Sequence, residues 1–190
     1  MKKVFSFLVL AFLSTSLFAQ TTWNVDPAHS RLGFSINHMG ISDVDGLFKK
    51  FDVSAKASKA DFSDAVFQLS ADVNSIDTEI EMRDNHLRNA DFFEVEKYPK
   101  LTFKSTSIKA VSKDKYKLTG DLTLHGVTKP VTMDLWYRGT IENAQSKTSN
   151  SGFQLTGILK RSDFNLGSKF PSAMLSDEVQ IKADGEFIKK

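Results

Sequence analysis

The sequence predicts an all-β protein with an antiparallel sheet and one short helix. Apolar residues recur at every second position through most of the chain, which is the spacing of a strand with one buried face. Glycine, asparagine, aspartate and proline separate these runs, so short turns are expected between neighbouring strands. Such a sheet hides its apolar face either as a sandwich or by closing into a barrel.

Eight segments carry the alternating pattern and are predicted as strands. Between residues 74 and 99 the alternation stops, and Thr78 followed by Glu81 has the spacing of a helix capping box. Apolar and polar residues three and four positions apart then predict one helix over residues 78–89. The predicted strands are 31–38, 51–58, 65–73, 101–103, 116–124, 131–137, 153–159 and 179–187.

The inward positions of these strands are rich in large apolar side chains. An eight-stranded barrel has an interior that side chains can just fill, or that can hold one small ligand. Composition does not separate a filled barrel from a hollow one, so a packed core and a ligand-binding lumen are both open at this stage. The residues expected to face inward are Phe34, Ile36, His38, Phe51, Val53, Phe67, Leu69, Phe103, Leu122, Leu124, Met133, Leu135, Phe153, Leu155 and Ile181.

The first nineteen residues predict a signal peptide. Lys2 and Lys3 precede an apolar run over residues 4–18, and the small residue Ala19 offers a cleavage point. The run is shorter than the ~20 residues that a membrane-spanning helix needs. We therefore expect one mature domain over residues 20–190, without a membrane span after cleavage, in the periplasm or secreted.

Charge and cysteine content exclude several classes of function. The whole chain has 25 basic and 23 acidic residues, and removal of Lys2 and Lys3 leaves 23 of each. A neutral domain lacks the basic surface expected of a nucleic-acid partner or of binding to anionic membranes. The absence of cysteine excludes disulfides, thiolate zinc sites, iron–sulfur clusters and thiol nucleophiles.

Polar clusters give weak indications of chemistry. His29 lies in the turn of residues 26–30, where a hydrogen-bonded turn is favoured over a Ser/His/Asp triad because no G-x-S-x-G sequence is present. Arg83, Asp84 and His86 form the densest polar group. They either hold the helix against the sheet or contact a ligand's polar head, and no H-E-x-x-H spacing indicates a metal. Residues 125–130 predict a tight hairpin. We predict no catalytic residues, metal or cofactor.

Ordered motifs run through the chain from residue 23 onward. They include Trp23-x-x-Asp26-Pro27-x-His29-Ser30, Phe34-x-x-x-His38, Gly46-x-Phe48, Ser75-Ile76-Asp77-Thr78, Arg83-Asp84-x-His86-Leu87, Asp91-Phe92-Phe93, Tyr98-Pro99-x-Leu101-Thr102-Phe103, Gly120-Asp121-Leu122-Thr123-Leu124-His125-Gly126 and Arg161-Ser162-Asp163-Phe164. With these motifs the chain resembles the YceI-like family of exported lipid- or polyisoprenoid-binding proteins. The resemblance implies an extended, lipocalin-like, eight-stranded antiparallel β-barrel with a helix near one end. It also implies a long-chain ligand inside, with Arg83, Asp84 and His86 as a polar mouth.

The leading functional hypothesis is an exported protein that sequesters or carries a polyisoprenoid, an isoprenoid quinone or a similar long-chain amphiphile. A second hypothesis is a hydrolase or isomerase that acts on an apolar substrate through His38, His86 or Asp84. A third is a stress-related interaction protein with an incidental cavity. A homodimer is a further partner hypothesis.

Overall fold

The computed structural model describes residues 20–190, so the predicted signal peptide of residues 1–19 lies outside the described residues. The helix α1 spans Glu81–Arg88, and short 3-10 turns occupy Pro27–His29, Val73–Ser75 and Arg161–Phe164. No helix in residues 20–190 has the length and apolarity to cross a membrane. The strands are β1 (Thr21–Val25), β2 (Arg31–His38), β3 (Ser42–Phe48), β4 (Phe51–Ala57), β5 (Val66–Asp72), β6 (Ile76–Asp77), β7 (Lys100–Ser112), β8 (Lys115–Leu124), β9 (Val127–Glu142), β10 (Ser149–Lys160) and β11 (Leu175–Lys189).

The strands close into a barrel with eight strand positions around its wall. The antiparallel order is β1-β4-β5-β7-β8-β9-β10-β11, and β11 pairs again with β1. The remaining strands continue three of these positions: β2 follows β1 after Pro27–His29, β3 precedes β4 across Lys49 and Lys50, and β6 follows β5 after Val73–Ser75. The predicted eight-stranded antiparallel barrel is confirmed, and the sandwich alternative is excluded.

Three strands are missing from the sequence prediction. β1 and β6 are short, and β3 carries Asp43, Asp45 and Gly46, so its apolar content is too low to mark it as a strand. β7 extends well past the predicted segment of residues 101–103. Bulges between Ser105 and Ser107 and near its end shift the register, so its side chains do not keep a strict period of two.

The β8–β9 turn matches the predicted hairpin. His125 and Gly126 both have positive φ, 50° and 73°, as a two-residue hairpin turn requires. A Cβ atom on Gly126 would lie 2.4 Å from a ring carbon of Tyr98. His125 donates from Nδ1 to the carbonyl of Phe164 at 3.1 Å, so the turn is tied to the β10–β11 connection.

The helix is shorter than predicted, and the capping-box interpretation is wrong. Residue Ile80 occupies the N-cap position and makes no side-chain capping bond. Glu79 has a φ of 68°, which interrupts any helical path from Thr78 into α1. The backbone N–H and hydroxyl of Thr78 instead donate to the buried carboxylate of Asp84, at 2.9 and 2.5 Å. The backbone N–H of Thr78, which a capping box would pair with the Glu81 side chain, is therefore already bonded to Asp84.

One end of the barrel is filled by aromatic rings, and we call it the closed end. Phe62 lies between β4 and β5 with 2% of its surface exposed. Its ring centroid is 5.2 Å from that of Trp23, 5.0 Å from Tyr137 and 4.9 Å from Phe153. Tilted and edge-to-face contacts at these distances are favourable beyond their buried area.

Hydrogen bonds fix the loop that carries Phe62. The carboxylate of Asp64 accepts from the backbone N–H of Ser58 at 3.0 Å, the backbone N–H of Lys59 at 3.1 Å and the Ser58 hydroxyl at 2.5 Å. The hydroxyl of Tyr116 donates to the carbonyl of Asp61 at 2.6 Å. These bonds offset the cost of the positive φ, 58°, that Phe62 adopts.

Candidate ligand-binding site

The barrel is hollow over most of its length. Its lumen has a volume of about 510 Å³, within the ~300–1,000 Å³ range of small-molecule pockets, and strands from all eight positions contribute to its wall. At the other end from Phe62, α1 and the segment of residues 166–175 cover the opening. We call this end the mouth and that segment the mouth loop.

Every apolar position predicted to face inward lies on the wall of this lumen, and so does His38. Side chains in a strand alternate between the two faces, so the parity of a run decides which residues face inward once the sheet closes. Their contact with a ligand remains a prediction. The residues are Phe34, Ile36, His38, Phe51, Val53, Phe67, Leu69, Phe103, Leu122, Leu124, Met133, Leu135, Phe153, Leu155 and Ile181.

Other wall residues are absent from the sequence prediction. The wall residues on strands have the same parity as the predicted inward positions, so the alternating pattern could have identified them. They include Leu101, Leu118, Val131 and Leu159. Those at the mouth lie on α1 or in irregular segments, where no period relates sequence to orientation. They include Leu87, Phe92, Phe93, Phe164, Phe170 and Met174.

Glycines opposite large side chains help keep the lumen open. The Cζ atom of Phe34 lies only 2.2 Å from where a Cβ on Gly46 would be, and Phe103 approaches the same point on Gly120 to 2.5 Å. Gly46 faces Phe34 directly across the β2–β3 pair. Each ring therefore occupies space on the wall that a side chain on the neighbouring strand would fill, and does not have to extend to the centre.

A buried arginine organises the mouth loop. Arg161 is 7% exposed and forms no ion pair among residues 20–190. All five of its N–H groups have backbone carbonyl acceptors, so its charge is solvated by peptide dipoles. The acceptors are Ser176 at 3.1 Å, Leu166 at 3.0 Å, Gly167 at 2.7 Å, Phe170 at 2.5 Å and Leu175 at 3.0 Å.

Aromatic and ionic contacts join the mouth loop to the region of α1. Phe170 stacks on Phe92 with ring centroids 4.9 Å apart, and His86 contacts both rings from the side. Lys169 donates to Asp91 at 2.5 Å, and both of these groups are partly exposed. The pKa of Asp91 is lowered by its hydrogen bonds with Lys169 and His86.

The three residues predicted as a polar mouth separate in the structure. Arg83 and His86 line the lumen. Asp84 is not part of the lumen wall: its carboxylate accepts from Thr78, and the residue is 6% exposed, which fits the alternative in which it holds the helix in place. Arg83 also bonds to Thr78, which makes Thr78 the common anchor of both side chains.

The region of His29 forms the predicted hydrogen-bonded turn. Asp26 accepts from the backbone N–H of Ala28 at 3.0 Å and pairs with Nδ1 of His29 at 2.7 Å. This hydrogen bond lowers the pKa of Asp26 and raises that of His29. The Ser30 hydroxyl accepts from the backbone N–H of Glu186, on the neighbouring strand.

The fold and the lumen define a class: antiparallel β-barrels that enclose one elongated apolar cavity. Within it, the sequence pattern of the YceI-like domain matches residues 23–187, and the chain belongs to the YceI-like family. The UPF0312 protein SA2479 of Staphylococcus aureus strain N315 is 34% identical over 171 residues, which cover 88% of this chain and 97% of that protein.

Solved structures agree with the fold. BcnA of Burkholderia cenocepacia superposes with a TM-score of 0.75 at 29% identity, covering 85% of this chain and 98% of that one. The YceI protein of Campylobacter jejuni has a TM-score of 0.75 at 31% identity, with 81% and 90% covered. A polyisoprenoid-binding domain of Saccharophagus degradans has a TM-score of 0.68 at 21% identity, with 88% and 98% covered, and shows the shared fold alone.

Proposed function

We propose that this protein is an exported binding protein that encloses a polyisoprenoid, an isoprenoid quinone or a similar long-chain amphiphile in its lumen. The observation that carries the proposal is a cavity of about 510 Å³ with a wall that is almost entirely apolar and one closed end. A cavity of this kind stays poorly hydrated, and an apolar chain fills it favourably.

The energetics suit a ligand held by its chain. Burying apolar surface gains roughly 0.8 kcal/mol per CH₂, so one five-carbon isoprene unit contributes on the order of 4 kcal/mol before ordering costs. Two or three such units give useful affinity without any ion pair. The S. degradans domain is described as polyisoprenoid-binding, which supports an isoprenoid as the first probe.

Ligand entry is assigned to the mouth. Several exposed large apolar side chains lie at this end, on the β2–β3 turn, at the start of α1 and in the mouth loop. Ile41 and Met82 are 84% and 82% exposed. Apolar groups around an opening lower the cost of moving a water-insoluble chain from an apolar source into the lumen. The other exposed residues of this group are Met39, Ile80 and Met174.

Binding, and not catalysis, is the activity that this geometry favours. The hydrolase or isomerase hypothesis requires His38, His86 or Asp84 to act on a substrate in the lumen. Asp84 does not line the lumen and accepts from Thr78, and His86 packs against Phe92 and Phe170. Export to the periplasm or medium is part of the proposal and rests on the basic and apolar N-terminal sequence.

The experiment is ligand recovery followed by reloading. Protein purified from its own compartment is examined by native mass spectrometry and organic extraction, and its N-terminus is sequenced to locate cleavage. Delipidated protein is then titrated with geranylgeraniol. One apolar molecule per chain is expected in both arms, and a chain that carries none and takes up none overturns the proposal.

A matched pair of variants tests whether the lumen is the site. Leu155→Trp places a large ring in the lumen, whereas Ile158→Trp places the same ring on the outer face of the same strand, where Ile158 is 59% exposed. We expect the first variant to lose at least tenfold in affinity and the second to bind as the wild type does. Equal binding by both variants would place the ligand outside the barrel.

A further inference from the structure

We infer that the mouth docks on the surface of a lipid bilayer whose head groups carry no net charge, and that the ligand passes between bilayer and lumen there. The inference rests on the proposed function and names the partner of the same site. It begins from the large apolar side chains that residues 20–190 expose, since five of these nine lie around the opening. We call these five the apolar rim: Met39, Ile41, Ile80, Met82 and Met174.

The rim comes from three chain segments that contact one another. The backbone N–H of Met39 donates to the carbonyl of Met174 at 2.9 Å, which joins the β2–β3 turn to the mouth loop. Met82 precedes His86 by four residues, so both side chains lie on one side of α1, and His86 contacts the ring of Phe170 in the mouth loop. Each isoleucine of the rim is two positions along the chain from one of these methionines. The rim is therefore one surface around the opening.

The rim is continuous with the wall of the lumen. Met174 is exposed and also lines the lumen, and the next residue, Leu175, lines it as well. His38, directly before Met39, is a wall residue at the β2–β3 turn. An occupant of the rim therefore has to receive an apolar chain from the lumen or supply one to it. The interior of a bilayer dissolves such a chain, because it is itself apolar.

The exposed apolar residues elsewhere lack this connection to the lumen. They lie on the outer wall or at the ends of strands away from the mouth, and none of them lines the lumen. The ring of Trp136 has cations beside it, with Lys115 at 6.0 Å and Arg138 at 5.0 Å from its centroid. The residues of this second group, which serve as controls, are Val111, Trp136, Ile141 and Ile158.

The charges beside the rim are mainly negative. Within two positions of the rim residues lie three exposed acids, Asp43, Glu79 and Glu81, and a single lysine or arginine, Arg83. The guanidinium of Arg83 is already bonded to Thr78, through Nε at 2.8 Å. Among the described residues, Glu79 and Glu81 form no ion pair. A surface that covers the rim therefore meets free carboxylates.

These carboxylates select the kind of bilayer. Anionic lipids give a membrane a negative surface potential, which attracts basic segments and repels acidic ones. A second copy docked mouth to mouth would place the same carboxylates against each other. Zwitterionic lipids carry ammonium groups that complement the carboxylates and have no net charge to repel them. A bilayer of phosphatidylethanolamine and phosphatidylcholine is therefore the surface that the rim fits.

The test measures vesicle binding separately from ligand binding. Delipidated protein is mixed with vesicles of phosphatidylethanolamine and phosphatidylcholine, or with vesicles in which phosphatidylglycerol replaces part of this lipid, and bound protein is measured by flotation. We expect the zwitterionic vesicles to bind more protein, and the difference to shrink as salt screens the charges. In a second arm, geranylgeraniol is supplied either from the zwitterionic vesicles or from cyclodextrin.

A matched pair of double variants locates the docking surface. Ile41→Gln with Met82→Gln removes two rim side chains that do not line the lumen. We expect this variant to lose at least tenfold in vesicle affinity and to take up geranylgeraniol from vesicles at least tenfold more slowly. Its affinity for geranylgeraniol from cyclodextrin should equal that of the wild type. Val111→Gln with Ile141→Gln removes two exposed apolar side chains away from the mouth and should change none of these quantities.

Three results would overturn the inference: a wild type that does not bind zwitterionic vesicles, one that binds the phosphatidylglycerol vesicles more tightly, or equal vesicle binding by the two double variants. The first would leave a protein partner as the occupant of the rim. All three leave the proposed function intact as long as geranylgeraniol from cyclodextrin binds, and failure of that binding would refute the proposed function itself. If the double rim variant does not fold, the lipid preference of the wild type and the single variant Met82→Gln decide the outcome.

Discussion

The two ends of the barrel are stabilised by different forces. At the closed end, Phe62 packs among Trp23, Tyr137 and Phe153 in a cluster with little exposed surface. At the mouth, the loop over the opening is held by the N–H groups of Arg161 and by contacts that are partly exposed.

The contrast indicates which end opens. Breaking the aromatic cluster exposes apolar surface to water and gains nothing in return. Opening the mouth loop uncovers Leu166 and the Phe92–Phe170 stack, but it exchanges most of the hydrogen bonds for bonds to water, and exposed ion pairs contribute little. We therefore expect local opening to cost less at the mouth, the end that the proposed function assigns to ligand entry.

The largest expected effect is at the closed end. Phe62→Ala leaves a void among three aromatic rings and should lower the free energy of unfolding by about 3–5 kcal/mol, measured by urea denaturation. Phe170→Ala at the mouth is the matched comparison and should cost less, because Phe170 is only half-buried. An equal loss in the two variants would remove the difference between the ends.

The next effect concerns the support of the mouth loop. Arg161→Met deprives several carbonyls of their donor and should cost about 2–4 kcal/mol, since hydrogen bonds to charged groups are each worth ~1.5–3 kcal/mol and part of the loss is recovered from water. Hydrogen exchange should rise in residues 166–175 and stay constant around Phe62. Unchanged exchange in the mouth loop would show that Arg161 does not hold it.

A third prediction concerns the width of the lumen between the two ends. Gly46→Ala puts a Cβ 2.2 Å from the Phe34 ring, which must then move into the cavity, whereas Gly157→Ala meets the flexible Met133 side chain. We expect the first variant to lose about 1–3 kcal/mol of stability and at least tenfold in affinity for geranylgeraniol. The second should stay close to the wild type. A crystal structure of Gly46→Ala with an unmoved ring would contradict this account.

The smallest effect is a dependence on pH at the closed end. Burial by itself raises the pKa of Asp64, but hydrogen bonds from Ser58 and Lys59 outweigh it and hold the pKa below its usual value. The stabilisation is therefore present above the unfolded-state pKa of about 3.9 and is lost as pH falls through the lower folded-state value. Asp64→Asn should be less stable than the wild type at pH 7, with a difference that shrinks in acid. A constant difference from pH 7 to pH 2 would contradict this assignment.

The sequence determined the inward face of the barrel. Alternation is local, because each residue's side chain points opposite to its neighbour's, so the wall positions that lie on strands, such as Phe34 and Ile181, follow from parity alone. The eight barrel positions and the His125-Gly126 turn follow from the same local signals. β3 and the true start of α1 do not, because Asp43, Asp45 and Glu79 interrupt the pattern.

Only the tertiary structure decided between sandwich and barrel and between a filled and a hollow interior. Closure depends on β1 meeting β11, with Trp23 opposite Lys189, and no local period encodes a pairing between the two ends of the domain. The open lumen depends on Gly46 and Gly120 lying beside aromatic rings of neighbouring strands. Asp84 accepts from Thr78 next to the turn at Glu79, and Arg83 bonds to the same threonine. Each of these features is a relation between residues that the chain brings together only on folding.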